Sequence, residues 1–249
     1  MSNTFLETPA RTGRRKAVIA LAAALLVVAG VLLATLSGHT TATAAVPGTL
    51  TPMPLGAASA SVVPVAPDLS AETPVLELVR GRTQITGVSV GYPHTQAGAV
   101  SAGIEYITTL ATLDPDREAA VGRLVADSSW ALAGQQFAAG AIAARRGIGL
   151  SGTGDVPEGA SIEVTPVSYQ LRDVSADRVN VLLLSYLVTT TPHAGTLSRT
   201  ILENLPMHWD GLDWKLLKST DAADTQYRSL LAGPGTAKAT GLGWQWISR

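Results

Sequence analysis

The 249-residue sequence contains no cysteine. That excludes disulfides, thiol nucleophiles and thiolate metal sites, and it suits a domain exported to an oxidising compartment. The four histidines, His39, His94, His193 and His208, are scattered, and none has a second ligand three or four residues away, so the spacing of a histidine metal site is missing as well. Strong charge of one sign is also missing. From Pro74 to Arg249 there are 14 Lys and Arg against 16 Asp and Glu, a net charge of −2. A stretch so close to neutrality lacks the electrostatic footprint of a dedicated nucleic-acid binder, and no direct nucleic-acid contact is expected.

What the sequence does have is a run of uncharged, mostly apolar residues from Ala17 to Leu36, preceded by Arg11, Arg14, Arg15 and Lys16. At about 1.5 Å per residue a helix of this length spans about 30 Å, the hydrocarbon thickness of a bilayer. The basic cluster marks the cytoplasmic side, so residues 1–16 form a cytoplasmic head, 17–36 a transmembrane helix, and everything beyond lies outside the cytoplasm. Ala42-Thr43-Ala44 offers an alternative, the cleavage pattern of a signal peptide, although signal-peptide apolar regions usually run only about 7–15 residues. Ala20 and Ala24, or Gly30 and Ala34, are spaced to let two such helices approach closely, which leaves a homo-oligomer open. Residues 37–73 are rich in Ala, Ser, Thr, Pro and Gly, with only Asp68 and Glu72 charged, and read as a disordered linker. Residues 74–249 are long enough for one domain with its own core.

Within that domain the apolar period is helical first and strand-like afterwards. Val75–Val79 is a short lead-in, and Ile85–Val90 reads as extended up to Pro93. Thr95 can cap a helix over Gln96–Leu113, in which Val100, Ile104, Ile107 and Ala111 recur at helical spacing. Gly98, Ala99, Ala102 and Gly103 give it a thin side, and such glycines call for close packing as compensation. Asp114-Pro115-Asp116 restarts a helix to about Ala126, and Asp127–Ser129 can cap a third, running through Trp130, Ala133, Phe137 and Ala141 to Arg145, Arg146 and Gly147. Ser161–Arg172 alternates, with Pro166 favouring an edge or a bulge, and Arg178–Thr190 is apolar on both alternations, as in a central strand. Thr196–Trp209, a turn at Asp210–Asp213 and Trp214–Leu217 complete a meander. The fold class is α+β, with helices on an antiparallel sheet that curls around the first helix. Ser219–Arg249 carries Trp244 and Trp246, which suggest a docked tail or an exposed aromatic patch.

Two motifs match catalytic patterns without their context. Gly87-Val88-Ser89-Val90-Gly91 has the spacing of a hydrolase nucleophile elbow, but Tyr92-Pro93 follows where a helix should begin. Gly147-Ile148-Gly149-Leu150-Ser151-Gly152 has the spacing of a dinucleotide fingerprint, but it follows a helix, the reverse of the required order. Glu105, inside an otherwise apolar helix, is the one carboxylate whose position invites an acid–base role. The pattern assigns no catalytic, cofactor-binding or metal-ligating residue, and no cofactor is expected.

Gly91-Tyr92-Pro93-His94-Thr95-Gln96-Ala97-Gly98-Ala99-Val100 and His208-Trp209-Asp210-Gly211-Leu212-Asp213-Trp214-Lys215-Leu216, together with the anchor and linker, resemble bitopic proteins of actinobacterial conjugative elements. The resemblance implies an exported domain with the cone-shaped fold of nuclear transport factor 2, shared by VirB-type and TcpC-type subunits of type IV secretion machines. It implies a non-enzymatic scaffold whose partners are other membrane subunits of a transfer or transport complex. An accessory subunit of a Mce-like lipid transporter, which has the same anchor and fold, and an extracytoplasmic small-ligand-binding domain are the alternatives.

Overall fold

A computed structural model describes residues 76–220 and 225–247. The cytoplasmic head, the 17–36 anchor, the 37–73 linker and His39 lie outside the described residues, among which no helix is long and apolar enough to cross a membrane. The domain is α+β, with helices on a curved antiparallel sheet.

The first extended stretch is a hairpin rather than one strand. β1 (Thr83–Ile85) and β2 (Val88–Val90) pair antiparallel around Thr86 and Gly87, both with positive φ, as a tight two-residue hairpin turn requires. Helix α1 spans Gln96–Leu110, and Thr95 Oγ1 accepts the Gly98 N–H at its start. It stops three residues before Leu113 because Thr112 Oγ1 takes the Asp114 N–H and turns the chain for the restart. Helix α2 (Pro115–Val125) begins as expected, with Asp114 Oδ1 accepting the N–H groups of Asp116 and Arg117. Helix α3 covers Ala133–Gly147 and has no side-chain cap. Asp127 therefore caps no helix: its Oδ1 takes the Ser129 N–H and hydroxyl and closes a separate turn ahead of Trp130.

The long strands are β3 (Ser161–Arg172), β4 (Arg178–Thr191) and β5 (Gly195–Trp209), followed by β6 (Trp214–Leu216). A 3₁₀ turn (Arg228–Leu230), a short helix α4 (Ala237–Gly241) and β7 (Gln245–Trp246) complete the described chain. The five-stranded sheet runs β6-β5-β4-β3-β7, so β4 is central and β3 slips register between Pro166 and Ser168, as its proline indicated. Helix α1 lies on one face. A Cβ added at Gly103 would meet Leu205, Val181 and Met207 at 3.3–3.5 Å, so the thin side of α1 is the side that rests on the sheet. Val181, Leu183, Leu205 and Met207 join Val100, Tyr106 and Ile107 there in the main core. Leu182 and Leu184 point the other way and are covered by Tyr227, Ala232, Ala239 and Trp244 from the C-terminal segment. Both alternations of β4 are apolar because both faces of the sheet are covered at that point.

Candidate functional site

The two stretches that carried the resemblance meet in space. Pro93 ends the lead into α1, and its carbonyl accepts the Trp214 indole N–H at 3.0 Å. Asp213, at the β5–β6 turn, accepts the backbone N–H groups of Tyr92 and Trp214 on Oδ1, each at 2.9 Å. Its Oδ2 lies 3.0 Å from the Tyr106 hydroxyl, which also lies 3.0 Å from the Trp214 carbonyl oxygen, and Lys215 Nζ approaches to 3.6 Å. The turn itself is closed by Asp210, whose Oδ1 accepts the N–H groups of Leu212 and Asp213. Burial, reinforced by the Asp213 charge, pushes the Tyr106 phenol well above its ordinary range, and burial together with the Glu105 charge pushes Tyr92 up to about 12. Both phenols stay neutral at physiological pH. This clamp fastens the start and middle of α1 to the end of the sheet.

At its outer surface the His94 ring stacks on Trp209, with centroids 4.5 Å apart and planes 7° from parallel. His94 Nε2 sits 2.8 Å from the Ala176 carbonyl oxygen and 3.3 Å from Asp177, which ties the β3–β4 loop to the same end. Leu212 and Val174, on the loops at this end of the meander, are 75% and 49% exposed. His208 stands on β5 with its Nδ1 2.8 Å from Asp127 Oδ2. Burial acts to raise the Asp127 carboxyl, but hydrogen bonds from Ser129 and His208 outweigh it and hold it down at about 2.

The catalytic patterns resolve into structural parts. Ser89 lies on β2 and its backbone N–H donates to Glu105 Oε1 at 2.8 Å, so Glu105 pins the hairpin to α1. Gly87 occupies the hairpin turn, and no helix follows Ser89 directly. In the second pattern Gly147 closes α3, and the loop beyond it is held by Arg145, whose guanidinium donates to the carbonyls of Leu113 and Gly154. His193 is exposed in the β4–β5 turn, and among the described residues no three potential ligands converge as a metal site.

Two carboxyls that the sequence reading passed over face one small cavity beneath the helices. Glu118 on α2 and Glu203 on β5 share it with Ile107, Leu110, Ile162, Val164, Leu187 and Ile201. Its volume of about 30 Å³ is room for one water molecule, far below the several hundred Å³ of a typical small-ligand pocket. Burial pushes Glu203 up to about 7, although Ser185 Oγ donates to its Oε2 at 2.6 Å. Burial likewise pushes Glu118 up to about 9, with a backbone bond at Ala141 offsetting part of the rise, and Glu118 Oε1 has no hydrogen-bond partner among the described residues. Glu203 had a signal in the sequence: it falls on the same alternation as Ile201, Leu205 and Met207, the core face of β5. Glu118 had none, because an acid in the first turn of a helix is ordinary.

Residues 81–236, more than half of the chain, match the model of a domain of unknown function, DUF8175. The chain belongs to the DUF8175 family. No curated protein and no solved structure matches it significantly. The matched region of the DUF8175 domain contains the whole clamp, Glu118 and Glu203, and it stops before α4, Trp244 and β7.

Proposed function

We propose that this DUF8175 protein is a non-enzymatic assembly subunit of a conjugative-transfer, type IV secretion-like membrane complex, anchored through residues 17–36 with its domain outside the cytoplasm. In this reading the helices and curved sheet form a cone of the nuclear transport factor 2 type, and the partners are other membrane subunits or further copies of the chain. The observation that carries it is the loop end of the sheet. There the His94–Trp209 stack is held rigid from beneath by Asp213, Tyr106 and Trp214, while Leu212 and Val174 stand exposed beside it. Rigid aromatic surface flanked by exposed aliphatic side chains, on a pre-organised base, is what protein interfaces use as anchors.

The test is capture of partner subunits from membranes, run beside a conjugative transfer assay. Leu212→Asp with His94→Ala is expected to weaken capture about thirty-fold, the equivalent of about 2 kcal/mol, with the melting temperature nearly unchanged. Ser89→Ala and Glu105→Gln are expected to leave transfer intact wherever the fold is preserved. Loss of transfer in either of these, with folding and partner capture retained, would overturn the scaffold reading. Capture of lipid-importer permease subunits instead would assign the protein to a Mce-like transporter.

A further inference from the structure

The C-terminal segment pairs with only part of the β3 edge. β7 pairs with β3 at Ser168 and Tyr169, the Ile247 N–H donates to the Val167 carbonyl at 3.1 Å, and at Gly243, with φ +84°, the chain has turned away. Alternate residues of an antiparallel strand present their main-chain groups to the same neighbour, so those of Val167, Tyr169 and Leu171 point to this edge. Ile247 and Gln245 stand opposite the first two, and among the described residues no strand stands opposite Leu171. Its N–H and C=O open on a cleft of about 480 Å³, a volume within the range of ligand pockets, lined among others by Leu76, Gln96, Leu171, Arg172, Gly243 and Gln245.

The edge divides the cleft into two sides. Leu171 and Leu76, which forms a parallel bridge to Ile247, lie on the side that packs against the main core. Gln170 and Arg172 alternate to the other side. Gln170 is 5% exposed and ties that side together: its Nε2 donates to the Leu242 carbonyl at 2.8 Å, and its Oε1 accepts from the Arg172 guanidinium at 2.6 Å. Charge in the wall is of one sign. The exposed Arg172 is the one charged residue in the cleft lining, and α1, which begins at Gln96 on the wall, has no acidic residue in its first turn. A main-chain donor and acceptor beside a held guanidinium match an extended chain that carries a carboxylate.

We propose that the cleft binds an extended acidic segment of a partner protein as an added strand, antiparallel to β3 and continuing the line of β7, with one residue exchanging main-chain hydrogen bonds with Leu171 and the next presenting a carboxylate to Arg172. Main-chain pairing supplies the affinity and alternation the preference: an apolar side chain opposite Leu171 falls on the side of Leu76, and the acid beside it falls on the side of Arg172. The assignment does not rest on the conjugation reading, since it needs only the cleft and the edge.

The test titrates full-length protein in detergent against the fluorescein-labelled, C-terminally amidated peptide TVEVT, read by fluorescence anisotropy. Replacing the glutamate of the peptide by glutamine, or Arg172→Ala in the protein, is expected to weaken binding about ten-fold. Arg172→Glu is expected to reverse the preference, so that TVKVT binds better than TVEVT. N-methylation of both valines is expected to weaken binding by about ten-fold or more, because Leu171 loses its donor, whereas N-methylation of the glutamate, whose N–H points away from β3, is expected to leave it nearly unchanged. Melting temperatures establish that each protein variant is folded. Absence of binding, or binding indifferent to Arg172→Ala in folded protein, would overturn the proposal. Binding that the two N-methyl groups leave intact would make the cleft a site for small carboxylates rather than for a strand, and would overturn it as well.

Discussion

The clamp and the acid cavity both bury carboxylates, and they treat them in opposite ways. Asp213 is 4% exposed, yet two backbone N–H groups, a phenol and a lysine are drawn up to it. Among the described residues Glu118, 1% exposed, keeps one oxygen without a partner, and Glu203 has the Ser185 hydroxyl. A paired buried charge fixes geometry, whereas an unpaired buried acid gives up its charge. The first arrangement makes a rigid joint, and the second stores a dependence on pH.

The largest effect is expected from breaking the joint. Asp213→Ala would strand the N–H groups of Tyr92 and Trp214 and remove a partner of Tyr106, all buried, at a cost of about 3–4 kcal/mol in a denaturant titration. A loss under about 1 kcal/mol would mean that the joint is dispensable. Next is the cavity. The Glu203 carboxyl is raised from 4.5 to about 7 on folding, so its contribution is intact below pH 4.5 and is lost as pH rises through 7. Over that window the folded state loses about 3 kcal/mol relative to low pH, and Glu203→Gln should flatten the profile by that amount. Glu118 acts with the same sign over a window reaching to about pH 9. Urea midpoints from pH 4 to 9 for both Gln variants would show it, and a profile unchanged by either variant would remove the contrast.

The smallest effect belongs to the Asp127–His208 pair, which lies nearer the surface. Asp127 is lowered to about 2, so its contribution is present above pH 4 and is lost as pH falls towards 2. His208→Ala is expected to cost about 1 kcal/mol at pH 6 and to reduce the acid limb of the same urea profile. An unchanged acid limb would mean that Ser129 alone holds Asp127 down.

Most of the framework was legible because its signals are local. Pro115 after Asp114 started α2, Gly147 ended α3, and Pro166 marked the bulge in β3. The errors came where two local signals competed or where distance decided. Val88 and Ile85 read as one extended run because nothing local distinguishes Thr86-Gly87 in a strand from the same pair in a tight turn. Asp127-Ser128-Ser129 has the chemistry of a helix cap and was used for a turn, because Trp130 packs against Phe137 ahead of the helix start. The C-terminal segment had no period to read, since its 3₁₀ turn and five-residue helix are shaped by the sheet face they cover. At the site, the resemblance stretches were legible as sequence, but their meeting through Asp213 is a contact across more than a hundred residues. The convergence of Glu118 and Glu203 is likewise a product of topology, as α2 and β5 share no local pattern.

The parallel bridge between Leu76 and Ile247 has a mechanical meaning. Tension that pulled the chain outwards at both residues would load that bridge in shear, along the strands, because the two run in the same direction. Ile247 directly follows β7 and donates its N–H to the Val167 carbonyl at 3.1 Å, so the same pull would reach the β7–β3 edge of the five-stranded sheet. Because Leu76 and Ile247 both pack against the main core, such a load would be passed to it rather than stopped at the bridge.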